Sequence, residues 1–269
     1  MTHDQTRFDL DANDASPPVL SVEGVVATLT LNRPAHRNRL EAGDLLSLLS
    51  QFEQVNADPG IRVLKLTANT KGQPRPVFCA GYHIGSFSEQ DSDPRLFERV
   101  ANALAALRPI TVCALNGSVY GGATDLMLAC DLSVGLTGIE FRMPATALGL
   151  HYYPGGLQRY VARLGLSGAK RAFLSARPFT ADMLWHMGCF EALAAPEDFD
   201  IAVDHLVNEI ADLAPLAVQA TKQSLNEIAS GQTDLDAMRT REAVTSSSED
   251  FAEGRRAFQE KRKARFAGR

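Results

Sequence analysis

The chain has 269 residues, which suits one large domain or one domain with an appendage. Its 27 basic and 32 acidic residues give a formal net charge of −5, which argues against a nucleic-acid partner but permits an anionic ligand held by a few local arginines. The composition is that of an ordinary globular protein, and no apolar run approaches the ~18 residues that a membrane helix needs.

The first residues, 1–18, are polar and acidic, and they predict a disordered tail rather than a signal peptide. We therefore expect a cytoplasmic protein. The cysteines agree, because they lack CxxC spacing and lie in apolar runs, as small core residues in a reducing compartment do. Histidines and cysteines do not cluster, so the sequence predicts no metal site. The cysteines are Cys79, Cys113, Cys130 and Cys189.

The segment after the tail, Val19 to Leu31, alternates and is interrupted by Glu23-Gly24, which predicts a β-hairpin. A basic turn, Asn32 to Leu40, precedes a helical pattern with an apolar stripe. Taken alone, the arginines of this turn fit a solvated loop. The stripe consists of Leu45, Leu48, Leu49, Phe52 and Val55.

Two glycine loops follow, each after a predicted strand. The first, Val77 to Gly85, comes after the strand-like run Val63 to Thr67 and a Pro-rich linker. The second begins where Asn116-Gly117 interrupts the apolar run that starts at Ile110, and Gly121-Gly122 then opens a helix. Two loops that each offer a backbone N–H beside a glycine are the minimum for a two-donor oxyanion hole.

The second loop has the composition of an anion-binding turn. Glycines let a ligand approach the main chain, and the N–H groups of the first helical turn point outward with the positive end of the helix dipole. The phosphate-binding patterns GxxxxGK[ST] and GxGxxG are absent at this turn. Asp125, in the first turn, fits either a carboxylate that interacts with the dipole or a catalytic acid or base.

The rest of the chain changes character near residue 195. Strands and helices alternate before that point, which predicts an α/β core over residues 19–195. Consecutive helical patterns then predict a helical C-terminal region over residues 196–269. Phe258 and Lys261 lie one helical turn apart, so a ring and a cation share a face that fits either solvent or a nucleotide. The helical patterns are Glu197 to Leu213, Pro215 to Ser230, Asp234 to Thr245 and Glu249 to Arg262.

Four segments together resemble the crotonase (enoyl-CoA hydratase/isomerase) superfamily. They are FCAGYHI, NGSVYGGATDLMLACD, FRMPATALGLHYYPGGLQRYVARLG and FAEGRRAFQEKRKARF, in the order and at the spacing of that family. The resemblance covers roughly Ser21 to Phe266. It implies an α/β fold built as a spiral of ββα units, and a helical C-terminal region that forms a homotrimer or a dimer of trimers. It also implies an acyl-CoA substrate, so coenzyme A is part of the substrate and no permanently bound cofactor is expected.

The resemblance also assigns roles to individual residues. The backbone N–H groups of Tyr82 and Gly122 would bind the thioester oxygen as it becomes an enolate oxyanion. In the basic turn, the residue after the asparagine is commonly small in the family but is Arg39 here. The residues implied to contact coenzyme A are His36, Arg37, Ala80, His83 and Ile84, with Phe258 and Lys261 at the nucleotide end, often of a neighbouring subunit.

The catalytic acids depart from those of the family's hydratases, which add water with two glutamates. The first glutamate position is Asp125 and the second is Ala145, which carries no proton, so we do not expect standard hydratase chemistry. Among the branches of the superfamily, the chain is most similar to methylmalonyl-CoA decarboxylases, which also lack the second glutamate. That similarity implies decarboxylation of a methylmalonyl-CoA-like substrate, with Asp125 as the single acid and Tyr152 in the pocket. Tyr153 is expected to be a pocket wall.

Two alternatives remain open. In the first, Asp125 is the only acid or base of an enoyl-CoA isomerase or hydratase. In the second, the chain binds coenzyme A without catalysing a reaction.

Overall fold

The computed structural model describes residues 16–83 and 93–269. Ile84 and most of the predicted tail, residues 1–15, lie outside the described residues. The end of that tail contacts the folded chain, because the Ser16 hydroxyl accepts a hydrogen bond from Asn32 and the Pro18 carbonyl accepts one from Gln51.

The described residues form two β-sheets enclosed by helices. The strands are β1 Val19–Glu23, β2 Val26–Leu31, β3 Val63–Ala68, β4 Val77–Cys79, β5 Ile110–Leu115, β6 Ser118–Tyr120, β7 Leu132–Leu136, β8 Glu140–Arg142, β9 Phe179–Thr180 and β10 Ala192–Ala194. The helices are α1 Ala42–Ala57, α2 Leu96–Ala105, α3 Gly122–Ala129, α4 Pro154–Ser175, α5 Ala181–His186, α6 Phe199–Ala211, α7 Pro215–Ser230, α8 Leu235–Ser246 and α9 Glu249–Glu260.

The larger sheet has the strand order β1-β2-β3-β5-β7-β10, and the smaller sheet has the order β4-β6-β8-β9. The predicted hairpin is confirmed as the antiparallel pair β1–β2, whose turn contains Gly24 with φ of +57°. The strands from β2 to β10 in the larger sheet pair in parallel. Every residue of β5 is buried, as its continuous apolar run requires of a central parallel strand.

The chain repeats one unit: a strand of the larger sheet, a short strand of the smaller sheet, and then a helix. The repeats are β3-β4-α2, β5-β6-α3 and β7-β8-α4. The expected α/β spiral of ββα units is therefore confirmed. The predicted helical C-terminal region is present as α6 to α9, with boundaries within a few residues of those predicted from sequence.

Two polar side chains of the basic turn, Arg33 and Asn38, anchor it to the rest of the chain. Arg33 donates to both oxygens of Asp44 on α1, at 3.0 and 3.2 Å from its Nε. The Asn38 amide donates to the carbonyls of Asn69 and Val77, at 2.9 and 3.2 Å. These bonds hold the turn against β4, so it lies beside the first glycine loop.

All four cysteines are free and buried, in agreement with their expected role as core residues. Burial raises the pKa of the Cys79 thiol to about 12. No helix among the described residues is both long and apolar enough to cross a membrane.

Gly117 lies in the turn between β5 and β6. At this position the main chain packs directly against the backbone at the start of β4. A Cβ atom there would lie 2.6 Å from the Phe78 nitrogen and 2.7 Å from the Pro76 carbonyl carbon, and both of these are backbone atoms. We expect Gly117→Ala to lower the free energy of unfolding by about 2 kcal/mol, because main-chain atoms cannot move aside as a flexible side chain does. A lowered melting temperature in a thermal unfolding experiment would record the loss.

Gly43 provides the matched control, since it is exposed on α1 and a Cβ atom there meets nothing within 4 Å. Gly43→Ala should leave the melting temperature unchanged or slightly raised, because alanine is the better helix former. Equal melting temperatures for the two variants would contradict the steric argument.

Candidate active site

The two glycine loops contact each other through their main chains. Gly81 and Gly121 have φ angles of +93° and +58°, which only glycine adopts readily. A Cβ atom on Gly81 would lie 2.9 Å from the Tyr120 carbonyl oxygen and 3.5 Å from the Gly121 Cα atom. Glycine at these positions therefore allows the loops to approach closely enough to share one ligand atom.

The predicted donors flank this contact. Tyr82 follows Gly81 and pairs with Leu40 in an isolated parallel bridge. Gly122 is the first residue of α3, so its N–H has no acceptor within the helix. The structure thus places both residues at the meeting point of the loops, as an oxyanion hole requires.

Aromatic rings line one side of this meeting point. The Phe97 ring covers Gly122, where a Cβ atom would lie 2.7 Å from its Cζ atom. Its centroid is 6.0 Å from the Tyr82 ring and 6.5 Å from the Tyr153 ring. These rings form an apolar wall between the donors and α4.

Asp125 is fully buried in the first turn of α3, and it is bound by two residues of the α4 region. The Arg159 guanidinium binds the Asp125 carboxylate through two hydrogen bonds, with Nε 2.9 Å from Oδ1 and Nη2 2.6 Å from Oδ2. The Tyr153 hydroxyl donates to Oδ2 at 2.5 Å. Three donors from two residues therefore occupy most of the acceptor sites of this carboxylate.

Tyr152 is linked to Asp125 only through the Tyr153 hydroxyl. Its hydroxyl donates to the Tyr153 hydroxyl at 3.0 Å, and the two rings stack with centroids 4.2 Å apart. Tyr152 is 6% exposed and packs against Tyr160 and Phe173 in the core. Tyr153, which was expected only as a wall, is therefore the tyrosine that contacts Asp125.

Both hydroxyls remain protonated at neutral pH. Burial is the main cause that raises the pKa of Tyr153, and the neighbouring charge of Asp125 adds to it. The same two causes, in the same order, raise the pKa of Tyr152. Burial tends to lower the pKa of Arg159, but its hydrogen bond to Asp125 and the charge of Asp125 outweigh burial and raise it. The site is therefore a chain of donors that ends on Asp125.

The position of the second family glutamate holds no acid. Ala145 begins the 3-10 turn Ala145–Leu148 and is 4% exposed, so a buried methyl group occupies this place. The part of the chain that the structure describes contains no group of three or more histidine, cysteine, aspartate and glutamate residues that could hold a metal ion.

The residues expected to contact coenzyme A divide into two places. His36, Arg37 and Ala80 are exposed, and the Arg37 carbonyl accepts a hydrogen bond from the Ala80 N–H at 2.9 Å. His83 donates its N–H to the Leu40 carbonyl at 2.9 Å. These four residues therefore lie along one edge, where the basic turn meets the first glycine loop, while Ile84 lies outside the described residues.

Phe258 and Lys261 lie on and just after α9. Phe258 is 86% exposed, so its ring is barely packed against this chain. Lys261 ends the helix in the left-handed conformation, with φ of 53°. Their proposed contact with coenzyme A stays a prediction.

Sequence reasoning missed Arg159 and the role of Tyr153. The partners Arg159 and Asp125 lie 34 residues apart, on different helices. One available signal was the general rule that a buried carboxylate needs a cation or several donors. Arg159 also donates to Asn102 of α2 at 2.8 Å, so one side chain links three helices around the site.

Comparisons with known proteins identify the family of the chain. A family model described as enoyl-CoA hydratase/isomerase matches residues 21–269. The chain is 30% identical to a crotonyl-CoA hydratase of Syntrophomonas wolfei, over 92% of this chain and 96% of that one. It is 31% identical to a 2,3-dehydroadipyl-CoA hydratase of Escherichia coli, over 93% and 98% of the two chains. A solved enoyl-CoA hydratase/isomerase family protein from Hyphomonas neptunium superimposes with a TM-score of 0.85 at 27% identity, over 94% of this chain and 98% of that one.

The buried ion pair makes a prediction about stability. Arg159→Gln should lower the free energy of unfolding by about 3 to 5 kcal/mol, because it leaves the buried Asp125 carboxylate without its counter-charge. The double variant Asp125→Asn/Arg159→Gln should recover part of this loss, since no uncompensated charge remains. Melting temperatures of the two variants and the wild type measure both effects.

The matched control is Arg239→Gln, because the Arg239–Glu242 pair on α8 is exposed, with side chains 80% and 65% accessible. Exposed ion pairs contribute little, so its melting temperature should stay near that of the wild type. If Arg159→Gln behaved like this control, Asp125 would not depend on Arg159.

Proposed function

Because the chain belongs to the enoyl-CoA hydratase/isomerase family, whose members act on CoA thioesters, we propose that it decarboxylates a malonyl-type thioester such as methylmalonyl-CoA. In this proposal the enolate oxygen is bound by the backbone N–H groups of Tyr82 and Gly122. The assignment to acyl-CoA chemistry follows from the family, whereas the choice of reaction rests on the residues around Asp125.

One observation carries the choice of reaction: among the described residues, the site offers no carboxylate whose oxygens are not already bound by donors. Asp125 is fully buried and bound by Arg159 and Tyr153, and Ala145 stands where the family's hydratases have their second glutamate. Hydration needs a group that takes a proton from water, and isomerisation needs one that takes a proton from carbon. Decarboxylation needs neither, because the departing carboxylate leaves its electron pair behind.

The proposed reaction has two steps. The bond between the α-carbon and the carboxylate breaks, CO₂ leaves, and the electron pair forms an enolate whose oxygen accepts hydrogen bonds from both N–H groups. Each donor contributes about 3 to 4 kcal/mol to transition-state stabilisation, by analogy with acyl-transfer enzymes. The α-carbon then takes a proton, and the net reaction consumes one proton from solvent.

Tyr153 is the proposed proton donor in the second step. Its hydroxyl hydrogen points to Asp125, and rotation about the C–O bond turns it toward the pocket while the oxygen keeps the hydrogen bond from Tyr152. Its raised pKa ensures that the proton is present at neutral pH. Tyr153 then regains a proton from solvent, which is the proton that the net reaction consumes, while Tyr152 continues to donate its hydrogen bond to the Tyr153 oxygen.

A second candidate is an enoyl-CoA hydratase or isomerase that uses Asp125 alone. The observation that favours it is the naming of the relatives, since the proteins from Syntrophomonas wolfei and Escherichia coli are both called hydratases. For this chain, the candidate requires Asp125 to exchange protons while Arg159 and Tyr153 occupy most of its acceptor sites.

The homotrimer or dimer of trimers also remains a proposal. It is supported by exposed apolar side chains on the C-terminal helices, among them Leu225, Ile228, Leu235 and Val244. The molar mass of the purified protein by light scattering tests it, and a monomer would contradict it.

The reaction is tested by incubating purified protein in parallel with methylmalonyl-CoA and with crotonyl-CoA, and by following the products by mass spectrometry. We expect the first thioester to lose CO₂ and the second to remain unchanged. Addition of water to crotonyl-CoA without decarboxylation would reject the proposal in favour of the hydratase. Persistent CoA binding without turnover of either would indicate a non-catalytic protein.

The two tyrosines make separate predictions. Tyr153→Phe should lower kcat by about 100-fold with little change in KM, because it removes a general acid but no binding group. Tyr152→Phe, a matched change one hydrogen bond further away, should lower kcat by less than about tenfold. Steady-state kinetics on the decarboxylated thioester separates them, and a larger effect at Tyr152 would place the proton donor there.

A further inference from the structure

Arg39 lies beside the first glycine loop, next to one of the proposed oxyanion donors. The neighbouring residue Leu40 pairs with Tyr82 in the parallel bridge and donates its N–H to the Gly81 carbonyl at 2.9 Å. Arg39 stands at the position where the resembling family commonly has a small residue. Here that position carries a long cationic side chain.

The bridge separates two faces of the loop. Side chains alternate along extended backbone, so Arg39 and Glu41 share the face opposite Leu40, and Arg39 Nη2 lies 2.8 Å from Glu41 Oε1. The hydrogen bond from Arg39 is the main cause that lowers the pKa of Glu41, and a smaller contribution comes from His83. In the parallel bridge Leu40 and Tyr82 share one face, so alternation places His83 on the face of Arg39 and Glu41. The Tyr82 ring lies against Phe97 in the aromatic wall.

The Arg39 guanidinium is only partly satisfied by the described residues. Its side chain is 36% exposed, and within that part of the chain it makes one hydrogen bond, to Glu41, which is itself 39% exposed. Its Nε is enclosed but has no hydrogen-bond acceptor among the described residues. Arg159, in contrast, uses three of its nitrogens on Asp125 and Asn102. Arg39 retains donors for a further anion, and the guanidinium fork suits phosphate or carboxylate oxygens.

We propose that Arg39 binds an anionic group, phosphate or carboxylate, of the bound acyl-CoA thioester. The inference rests on the proposed function insofar as that function makes an acyl-CoA the ligand. We expect a phosphate of coenzyme A rather than an acyl carboxylate, because Arg39 shares the charged, half-exposed face with His83 and lies close along the chain to the exposed His36 and Arg37. The acyl group would lie on the other side, against the aromatic wall.

Binding measurements with three ligands identify the source of the anion. Butyryl-CoA carries phosphates, succinyl-CoA carries phosphates and an acyl carboxylate, and S-butyryl-pantetheine carries neither. All three acyl groups are saturated and none has a β-carboxylate, so dissociation constants from calorimetry do not depend on whether the enzyme decarboxylates or hydrates. The variants are Arg39→Ala and Arg39→Gln, with Arg239→Ala on α8 as the control for loss of an exposed arginine.

We expect both Arg39 variants to weaken butyryl-CoA and succinyl-CoA by about tenfold, as loss of a charge-assisted hydrogen bond does. They should leave S-butyryl-pantetheine unchanged, and Arg239→Ala should affect none of the three. Weakening of succinyl-CoA alone would support anion binding but assign it to an acyl carboxylate. Unchanged affinity for all three ligands would overturn the proposal, and so would equal weakening of all three, which indicates a structural role beside Glu41.

Discussion

A carboxylate that has no contact with solvent must be accompanied by a cation or by several donors, because removing a charge from water is costly. Asp125 meets this requirement through Arg159 and Tyr153, and the consequence reaches beyond the site. Arg159 also bonds to Asn102, so the relative positions of α2, α3 and α4 are tied to the same charge. The wall that Phe97 and Tyr153 form depends on these three helices. An acid in the first turn of α3 is thereby a structural centre around which these helices are arranged.

Much of the scaffold follows from local patterns. The β1–β2 hairpin and the helices after residue 195 were predicted from periodicity and turn residues, because each is long enough for its period to be read. In the smaller sheet, β4, β6 and β9 were not predicted as strands, since β4 and β6 have three residues each and β9 has two, and such lengths carry no period. These strands are nonetheless what brings the glycine loops together, through pairing between segments distant in sequence.

The site was predictable to a different degree at each residue. Tyr82 and Gly122 were expected as donors because the motifs around the two glycine loops resemble those of the crotonase superfamily. Which of Tyr152 and Tyr153 contacts Asp125 could not be predicted, because the two rings stack with their hydroxyls 3.0 Å apart and only the packing around them decides. Tyr153 precedes α4 in extended backbone, with ψ of 153°, which sends its ring toward Asp125 while Tyr152 enters the core. The Asp125–Arg159 pair depends on how α3 and α4 pack, which the sequence around either residue does not encode.

The proposed oxyanion donors lie on the glycine loops, whereas the side chains around Asp125 lie mainly on helices. This separation suggests how one scaffold supports different reactions. The contact between Gly81 and Gly121 is made by main-chain atoms at positive φ, so side-chain substitutions nearby leave it in place. The residues that decide proton transfer lie elsewhere: Ala145 on the turn after β8, and Tyr153 and Arg159 at the start of α4. In the proposed function, alanine at position 145 provides no water activation and leaves the donors in place. Such a site still stabilises an enolate, and it favours substrates that form the enolate by losing a bond of their own.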